Sequence, residues 1–398
     1  MTKKGETRMS EEFENLEFDS TIDVKEIVNS VKVEDKVEVD PEINDLYAEI
    51  SSFLEINANI KEDSGIKGTI PTGIDLLDAI LGGGFPIGAL NILVGQPGSG
   101  KTMLAIQTMG NAQKIYNGKV HVAFLDSEVS TTTKRMWDLG VRNPPIKPFS
   151  DITIESVFRF IEGICLFKEK KNIVDMPSVI VWDSLANTLS EKEHTTDDPN
   201  SVIGYKARLL SILIPKCVSK LKKYNISFLV INQLRDKISM GGPYNQVPSD
   251  LKFLSSSKQM PGGTVVKYNA NQLLEMKVKS KLSEDKDGFD GFTAVVKAVK
   301  NKLFSPNIEI ELVGDFVNGF DNLKTNFLFL KSTEYLKSGP WNHLVNYPTR
   351  KFRTKELPNL YNLDSDFKVA FDEAVYMAIK EQIIDKNTVP MENDSNDL

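Results

Sequence analysis

One eight-residue segment, Gly95 to Thr102 (GQPGSGKT), constrains the fold of this chain more than any other feature. It matches the pattern G-x-x-x-x-G-K-[ST], with the apolar run NILV before it and the helix-favouring run MLAIQTM after it. A glycine-rich turn between a strand and a helix directs successive backbone N–H groups toward one point, where they bind phosphate. The segment therefore predicts a P-loop in an α/β fold, with a buried strand leading into the phosphate site.

The P-loop combines a backbone cradle with two side chains that have chemical roles. Lys101 is expected to reach the β- and γ-phosphates of ATP, and the Thr102 hydroxyl is expected to join the ligands of Mg²⁺. The residues expected to bind the nucleotide are Gly95, Gln96, Pro97, Gly98, Ser99, Gly100, Lys101 and Thr102. A plain glycine turn would account for Gly95 and Gly98, but not for a lysine followed by a threonine at the start of the helix.

Two further apolar runs end in carboxylates that suit a phosphate site. The run SVIVW is followed by Asp183, where a Walker B aspartate that binds Mg²⁺ is expected after a buried strand. The run VAFL leads to Asp126 and Glu128, either of which could orient the attacking water or cap the following helix. Because Glu128 lies beyond the strand end and reaches furthest into the crevice, we predict that it is the catalytic base.

Strand-like and helix-like segments alternate along much of the chain. Predicted strands are Leu90–Val94, Val120–Leu125, Val179–Trp182 and Phe228–Ile231, separated by amphipathic stretches at 101–116, 153–170 and 205–224. This alternation indicates right-handed crossovers and a mostly parallel sheet. Three later runs, Gln272–Val278, Thr293–Val299 and Asn307–Val313, alternate polar and apolar residues, and we expect them to close the sheet as antiparallel strands.

Composition divides the chain into five predicted segments. Residues 1–40 are predicted to be an acidic, disordered leader, and 41–64 to contain an amphipathic N-terminal helix that is a candidate polymerisation element. Residues 65–330 are predicted to form the ATPase core, 331–384 a small aromatic C-terminal unit, and 385–398 an acidic tail.

Charge is unevenly distributed, which bears on the partners of the chain. The whole chain carries −7, but residues 1–60 carry −10, 381–398 carry −4 and 61–380 carry +7. A basic body between acidic ends suits a chain that meets a polyanion, although acidic ends can also serve solubility alone. No run approaches the ~20 apolar residues of a membrane helix. The two cysteines, Cys165 and Cys217, suit a reducing compartment, so we predict a cytoplasmic protein without a membrane partner.

Several segments together resemble the RecA-type ATPase core. They are TGIDLLDAILGGGFPIGALNILVGQPGSGKT, AFLDSE, SVIVWDSLANT and VINQLRDKI, and KAVKNKLFSP at 297–306 resembles the segment of bacterial RecA that supplies lysines to a neighbour's ATP. The likeness covers roughly residues 65–330, and the acidic ends and aromatic C-terminal unit are more similar to the phage UvsX-type recombinases. The predicted fold is thus α/β: a RecA-like P-loop ATPase core with a mostly parallel central sheet, antiparallel edge strands, an N-terminal helix and a small C-terminal unit.

The resemblance implies roles for residues outside the P-loop. Gln233 would sense the γ-phosphate, and Lys300 and Lys302 would act across a subunit interface on charge that develops in phosphoryl transfer. From the residues alone, such a lysine-rich run is more typical of a solvated strand face. A first DNA-binding loop is implied near 191–204 and a second over roughly 236–264. The residues implied to contact DNA are Arg235, Lys237, Ile238, Met240, Lys252, Phe253, Lys258, Gly262 and Gly263.

Two departures from the family pattern stand out. The first-loop segment EKEHTTDDPN is acidic, which weakens the case for a DNA contact there. Thr132 and Arg135 stand where the family places an aspartate and a tyrosine against adenine, so the residues that recognise adenine are unassigned.

We therefore predict a strand-exchange recombinase that requires ATP and Mg²⁺. It would be a DNA-dependent ATPase that forms helical filaments on single-stranded DNA, pairs it with homologous duplex DNA, and works with single-strand-binding and loader proteins, in the host cytoplasm if the chain is of phage origin. One alternative is a hexameric DnaB-like replicative helicase, whose trans arginine would leave the KNK lysines without a role. The other is a non-filament RecA-like regulatory ATPase, which a missing Walker lysine or catalytic glutamate would have favoured.

Overall fold

The computed structural model describes residues 67–142, 152–196, 198, 202, 204–236 and 258–387. The predicted leader, the predicted helix within 41–64 and residues 388–398 lie outside these ranges. No helix of the described part of the chain has the length and apolar character needed to cross a membrane.

Short and long strands alternate with helices along the described residues. The strands are β1 Thr69–Ile70, β2 Phe85–Pro86, β3 Leu90–Gly95, β4 His121–Asp126, β5 Ser178–Asp183, β6 Ile226–Gln233, β7 Arg235–Asp236, β8 Lys258–Gln259, β9 Gln272–Leu282, β10 Gly291–Asn301, β11 Glu309–Asp315, β12 Gly319–Phe320, β13 Leu336–Lys337 and β14 His343–Leu344. The helices are α1 Asp75–Leu81, α2 Lys101–Ile115, α3 Thr133–Asp138, α4 Ile154–Lys171, α5 Glu191–Thr195, α6 Tyr205–Lys223, α7 Gly263–Asn269, α8 Glu284–Asp287, α9 Asn322–Leu330, α10 Leu357–Leu363, α11 Ser365–Ile379 and α12 Asp385–Asn387. A 3₁₀ turn, Thr354–Glu356, precedes α10, and a π-helical turn, Lys380–Ile384, joins α11 to α12.

Eight strands form one central sheet in the order β12-β11-β10-β9-β3-β6-β5-β4. Strands β9, β3, β6, β5 and β4 are parallel to one another, and β10, β11 and β12 add antiparallel pairs at one edge. The prediction of a mostly parallel sheet with antiparallel edge strands is confirmed. The prediction that Gln272–Val278 is an antiparallel strand is only half right: the strand there, β9, is antiparallel to β10 but parallel to β3. Helix α7 lies between β8 and β9 in the chain and allows β9 to run parallel to β3.

The central strands are buried along their whole length because helices cover both faces of the sheet. Strands β3 and β5 have no exposed residue, as expected for parallel strands between two helical layers. Alternate residues of β3 point into different cores: Leu93 packs in the core that contains Leu104 of α2, and Ile92 in the core that contains Ile161 of α4. Packing on both faces thus fixes the positions of the parallel strands, and the predicted site residues lie at the ends of these strands.

The C-terminal residues share a hydrophobic core with α1, α2 and the antiparallel strands. Aromatic rings pack against one another in this core: the centroids of Phe327 and Phe352 are 6.1 Å apart in a tilted pair, and those of Phe352 and Phe367 are 5.1 Å apart in an edge-to-face pair. Ile383 and Ile384, in the π-helical turn, are also buried there. The chain therefore remains packed through residue 384, and the predicted division at 330 and 331 stays a prediction.

Candidate nucleotide-binding site

The P-loop joins the end of β3 to the start of α2, as its sequence predicts. Gly98 and Gly100 have φ angles of 75° and 89°, in the left-handed region that favours glycine. A Cβ atom at Gly100 would lie 2.7 Å from Phe320 Cζ, and one at Gly95 would lie 2.3 Å from the Met276 carbonyl oxygen. Close packing therefore requires glycine at 95 and 100, whereas Gly98 faces open space that a phosphate can occupy.

Lys101 places a cation at the centre of this loop. Its Nζ donates hydrogen bonds to Gly95 O at 3.1 Å, Gln96 O at 2.7 Å and Ser99 Oγ at 3.2 Å. Burial lowers the pKa of Lys101 to about 8, although the carboxylates of Asp183 and Glu128 act in the opposite direction. The ammonium is thus still mostly protonated at neutral pH, and an anion that enters the loop would replace one of these three acceptors.

The Thr102 hydroxyl and the Asp183 carboxylate meet at the ends of α2 and β5. Thr102 Oγ1 donates to Asp183 Oδ2 over 2.5 Å. Burial raises the pKa of Asp183 to about 6, and the Thr102 hydrogen bond opposes that rise. A bound cation would favour the ionised carboxylate, so two oxygens that lie this close fit one edge of a Mg²⁺ site. The described residues contain no cluster of three His, Cys, Asp or Glu that could hold a metal ion.

Glu128 accepts hydrogen bonds from three side chains at one oxygen. The donors to Glu128 Oε1 are Ser184 Oγ at 2.9 Å, Asn187 Nδ2 at 2.6 Å and Gln233 Nε2 at 2.9 Å. Three donors from two separate segments orient the carboxylate without burying it, since Glu128 itself is exposed. The sequence did not predict the contacts of Ser184 and Asn187 with Glu128. The one indication in the sequence was that both are polar residues within about one turn after Asp183.

Asp126, the alternative to Glu128, is engaged differently. Its Oδ1 accepts from the Glu128 backbone N–H at 3.1 Å and its Oδ2 from the Thr131 N–H at 3.0 Å. Asp126 therefore shapes the loop that carries Glu128 and is directed toward backbone groups. Thr132 caps α3 by accepting from Arg135 N, and Arg135 Nη1 donates to Val317 O at 2.6 Å, next to the P-loop neighbour Phe320.

Ser127 fixes the end of β4 to the end of β5. Its backbone N–H donates to Asp183 O over 2.7 Å, and its Oγ accepts from Ser184 N over 3.0 Å. These bonds hold the loop of Glu128 beside Asp183, although the two residues are 55 positions apart in the chain. The sequence offered no separate signal for this contact, because serine is common at strand ends.

Gln233, at the end of β6, lies between the predicted nucleotide site and the predicted second DNA-binding loop. Next to it, Asn232 Nδ2 donates to Pro261 O at 2.8 Å, and β7 pairs with β8 in an antiparallel ladder. The two ends of the loop are therefore held together beside Gln233. Arg235 and Lys258 belong to this ladder, Gly262 is the N-cap of α7, and Gly263 is its first residue. The remaining predicted DNA contacts, Lys237, Ile238, Met240, Lys252 and Phe253, lie outside the described residues.

Lys300 and Lys302 lie away from the P-loop of their own chain. On strand β9, Lys300 pairs with Leu273 and Gly95 pairs with Met276, three residues further along. Lys300 and the start of the P-loop are therefore offset by about 10 Å along the strand direction. Lys300 Nζ donates to Lys267 O at 3.0 Å and Tyr268 O at 2.9 Å. Burial lowers the pKa of Lys300 to about 8, and the charges of Lys302 and Lys267 lower it further. Within one chain the site lacks these lysines.

Comparison with known proteins agrees with this architecture. The RecA N-terminal domain family matches residues 51–321. Protein RecA of Aquifex aeolicus is 30% identical over 279 residues, which is 69% of this chain and 73% of that protein. Protein RecA of Colwellia psychrerythraea is 30% identical over 277 residues, or 69% of this chain and 73% of that protein. Protein RecA of Treponema pallidum is 29% identical over 262 residues, or 65% of this chain and 59% of that protein.

The matched region contains the P-loop, Asp183, Glu128 and Gln233, and it extends to β12. These matches do not favour a DnaB-like helicase or a regulatory ATPase, and the likeness to the phage UvsX-type proteins stays a prediction. The chain belongs to the RecA family and is a RecA-like recombinase.

Proposed function

We propose that this RecA-family chain polymerises on single-stranded DNA, binds ATP and Mg²⁺ between neighbouring copies, and exchanges strands with homologous duplex DNA. The observation that carries the proposal is the hydrogen bond between Gln233 and Glu128. It joins the proposed ATP site to the point where the two ends of the second loop are held together. A DNA-dependent ATPase needs such a connection, because its hydrolysis must respond to what the loop binds.

Each side of the ATP site has a distinct role in the proposed reaction. The P-loop amides and Lys101 bind the phosphates, and Glu128 orients the attacking water and accepts its proton. Thr102 and Asp183 would hold Mg²⁺, which neutralises charge on the phosphate oxygens when it is bound. In this proposal the residues of this chain thus position both the nucleotide and the attacking water.

The neighbouring copy completes the site in this proposal. Lys300 and Lys302 are brought to the γ-phosphate of the adjacent subunit, where two cations stabilise the charge that develops in the transition state. Their distance from their own P-loop supports action in trans. The helix within 41–64 is proposed as the polymerisation element, and the residues 236–264 as the main contact with extended single-stranded DNA.

Two measurements on the intact chain test the proposal together. The ATPase rate should rise when single-stranded DNA is added, and electron microscopy should show helical filaments on that DNA. A rate unaffected by DNA, together with closed six-membered rings, would contradict the recombinase mechanism and support the helicase alternative.

A further inference from the structure

The turn that follows β5 carries two of the three side chains that hold Glu128. Residues 184–188 form a single helical turn, in which Thr188 N donates to Ser184 O over 3.1 Å. Ser184 and Asn187 extend from this turn to Glu128 Oε1. A displacement of the turn would therefore move two donors at once, and with them the carboxylate.

The inner side of the turn is attached to the central sheet. Leu185 N donates to Ile231 O of β6 at 3.0 Å, and Trp182 Nε1 of β5 donates to Thr188 Oγ1 at 2.8 Å. Leu185 and Trp182 are both fully buried. These contacts leave the carbonyl groups at the carboxyl end of the turn, which have no partner within a helical turn, to be satisfied from elsewhere.

One lysine of α6 satisfies those carbonyls. Lys206 Nζ donates to Leu185 O at 2.6 Å, Ala186 O at 3.3 Å and Thr188 O at 2.8 Å. A cation suits this position because the carboxyl end of a helical turn carries partial negative charge. Lys206 lies in the first turn of α6, immediately after the predicted first DNA-binding loop.

We infer that Lys206 is a positioning residue that links the start of α6 to the catalytic carboxylate. A change in the position of α6 reaches the 184–188 turn through the ammonium, and reaches Glu128 through Ser184 and Asn187. The inference rests on the proposed role of Glu128 as the base. It assigns the first loop a mechanical contribution to hydrolysis that does not require its acidic residues to contact DNA.

The main test replaces Lys206 with methionine, which keeps the length of the side chain and removes its donors. We expect the DNA-stimulated kcat of Lys206→Met to fall about 10- to 100-fold, because small displacements of a catalytic group are costly. The KM for ATP should stay within about twofold, since the P-loop contacts are intact. Lys206→Arg, which retains donors, should recover most of the rate. Lys216→Met, at an exposed position on the same helix, is the matched control and should match the wild type.

A double variant separates positioning from general stabilisation. If Lys206 acts through the turn, Asn187→Ala combined with Lys206→Met should be no slower than the slower single variant, because coupled residues are not additive. Additive losses would overturn the inference, and so would a lowered melting temperature with an unchanged kcat. Glu128→Gln distinguishes a failure of the proposed base from a failure of the role of Lys206. If Glu128→Gln still hydrolyses ATP, Glu128 is not the base. Loss of hydrolysis in Glu128→Gln with full activity in Lys206→Met would overturn only the role of Lys206.

Discussion

Gln233 Nε2 donates a hydrogen bond to Glu128 Oε1 over 2.9 Å, across the crevice between the ends of β6 and β4. The Gln233 amide has two N–H donors, so it can retain Glu128 and also donate to a γ-phosphate oxygen. In the proposed mechanism, Gln233 would therefore report the state of the nucleotide to Glu128 and, through the neighbouring Asn232 and its bond to Pro261, to the second loop.

Replacing Glu128 with glutamine should stop turnover while preserving ATP-dependent DNA binding. The amide keeps the size and an acceptor oxygen, but it cannot accept the proton of the attacking water. We expect the DNA-stimulated ATPase rate to fall by about 10²- to 10⁴-fold, the usual contribution of a general base. Phosphate release and fluorescence anisotropy with labelled single-stranded DNA measure the two properties. Asp126→Asn is the comparison variant: it keeps one of the two acceptors that hold the loop of Glu128, so its ATPase rate should fall less than that of Glu128→Gln.

Replacing Gln233 with alanine should uncouple ATP from DNA. The variant loses the contact with Glu128, whereas the P-loop and the hydrogen bond from Asn232 to Pro261 remain. A non-hydrolysable ATP analogue should raise the DNA affinity of the wild type by about tenfold, a typical coupling between two sites, and leave that of Gln233→Ala nearly unchanged. Anisotropy titrations with and without the analogue measure this. An equal rise in both proteins would remove Gln233 from the coupling mechanism.

Mixing two inactive variants should restore part of the activity if the lysines act in trans. Lys101→Ala lacks a functional P-loop, and Lys300→Ala lacks the cation proposed to reach the adjacent nucleotide. In a random equal mixture about a quarter of the head-to-tail interfaces combine an intact P-loop with an intact Lys300. The mixture should therefore reach roughly a quarter of the wild-type ATPase rate. If it stays as inactive as its components, the lysines act within their own chain or not in hydrolysis.

The sequence predicted best those elements that are determined by residues close to one another in the chain. The P-loop strand and helix, the buried parallel strands and the alternating edge strands follow from periodicity, and β3, β5 and α2 begin or end within a residue of the predicted limits. Glycine at 95 and 100 is required by contacts with Met276 and Phe320, yet the motif alone already identified both positions.

Contacts between distant segments could not be read from the sequence. The three carbonyls around Lys206 and the donors from Asn187 and Ser184 depend on how α6 and the 184–188 turn pack against the sheet. A lysine in the first turn of a helix is usually an ordinary surface residue, so its position in the sequence did not indicate that Lys206 contacts the 184–188 turn. The direction of β9 relative to β3 was likewise invisible, because alternation of polar and apolar residues does not distinguish parallel from antiparallel neighbours.

Asp78 should make the stability of the protein depend on pH. Burial raises the pKa of Asp78 to about 7, although N–H groups of Thr72 and Gly73 donate to its carboxylate at 2.7 and 3.2 Å. Because the folded pKa lies above that of the unfolded chain, the stabilising contribution is complete below about pH 4 and is lost as the pH rises through about 7.

Asp78→Asn, which cannot ionise, removes this dependence. The free energy of unfolding of the wild type, relative to Asp78→Asn, should fall by about 2.7 kcal/mol between about pH 5 and about pH 8, because two pKa units at about 1.36 kcal/mol each separate pH 5 from the folded pKa. Urea unfolding at several pH values measures it. Asp366→Asn, at an exposed position in α11, is the control and should follow the wild type. A pH-independent difference between wild type and Asp78→Asn would show that Asp78 keeps one protonation state throughout.

Removing the acidic C-terminal end should strengthen DNA binding, provided that the packed part of the chain is spared. A deletion from 381 would remove buried Ile383 and Ile384, the acceptor of the Tyr335 hydroxyl, and Asn387, whose carbonyl accepts from Ser305 at 2.9 Å. Deleting 388–398 removes three carboxylates and no basic residue.

The gain in affinity from deleting 388–398 should be largest at low salt, where the Debye length is long and the negative charges compete most with DNA phosphates for the basic body. Anisotropy titrations across a salt series measure it, and we expect roughly a threefold gain at low salt that disappears at high salt. A full-length variant with Glu392→Gln, Asp394→Asn and Asp397→Asn separates charge from length, and it should reproduce the deletion. If both proteins keep the wild-type salt dependence, the acidic end acts on solubility and does not compete with DNA.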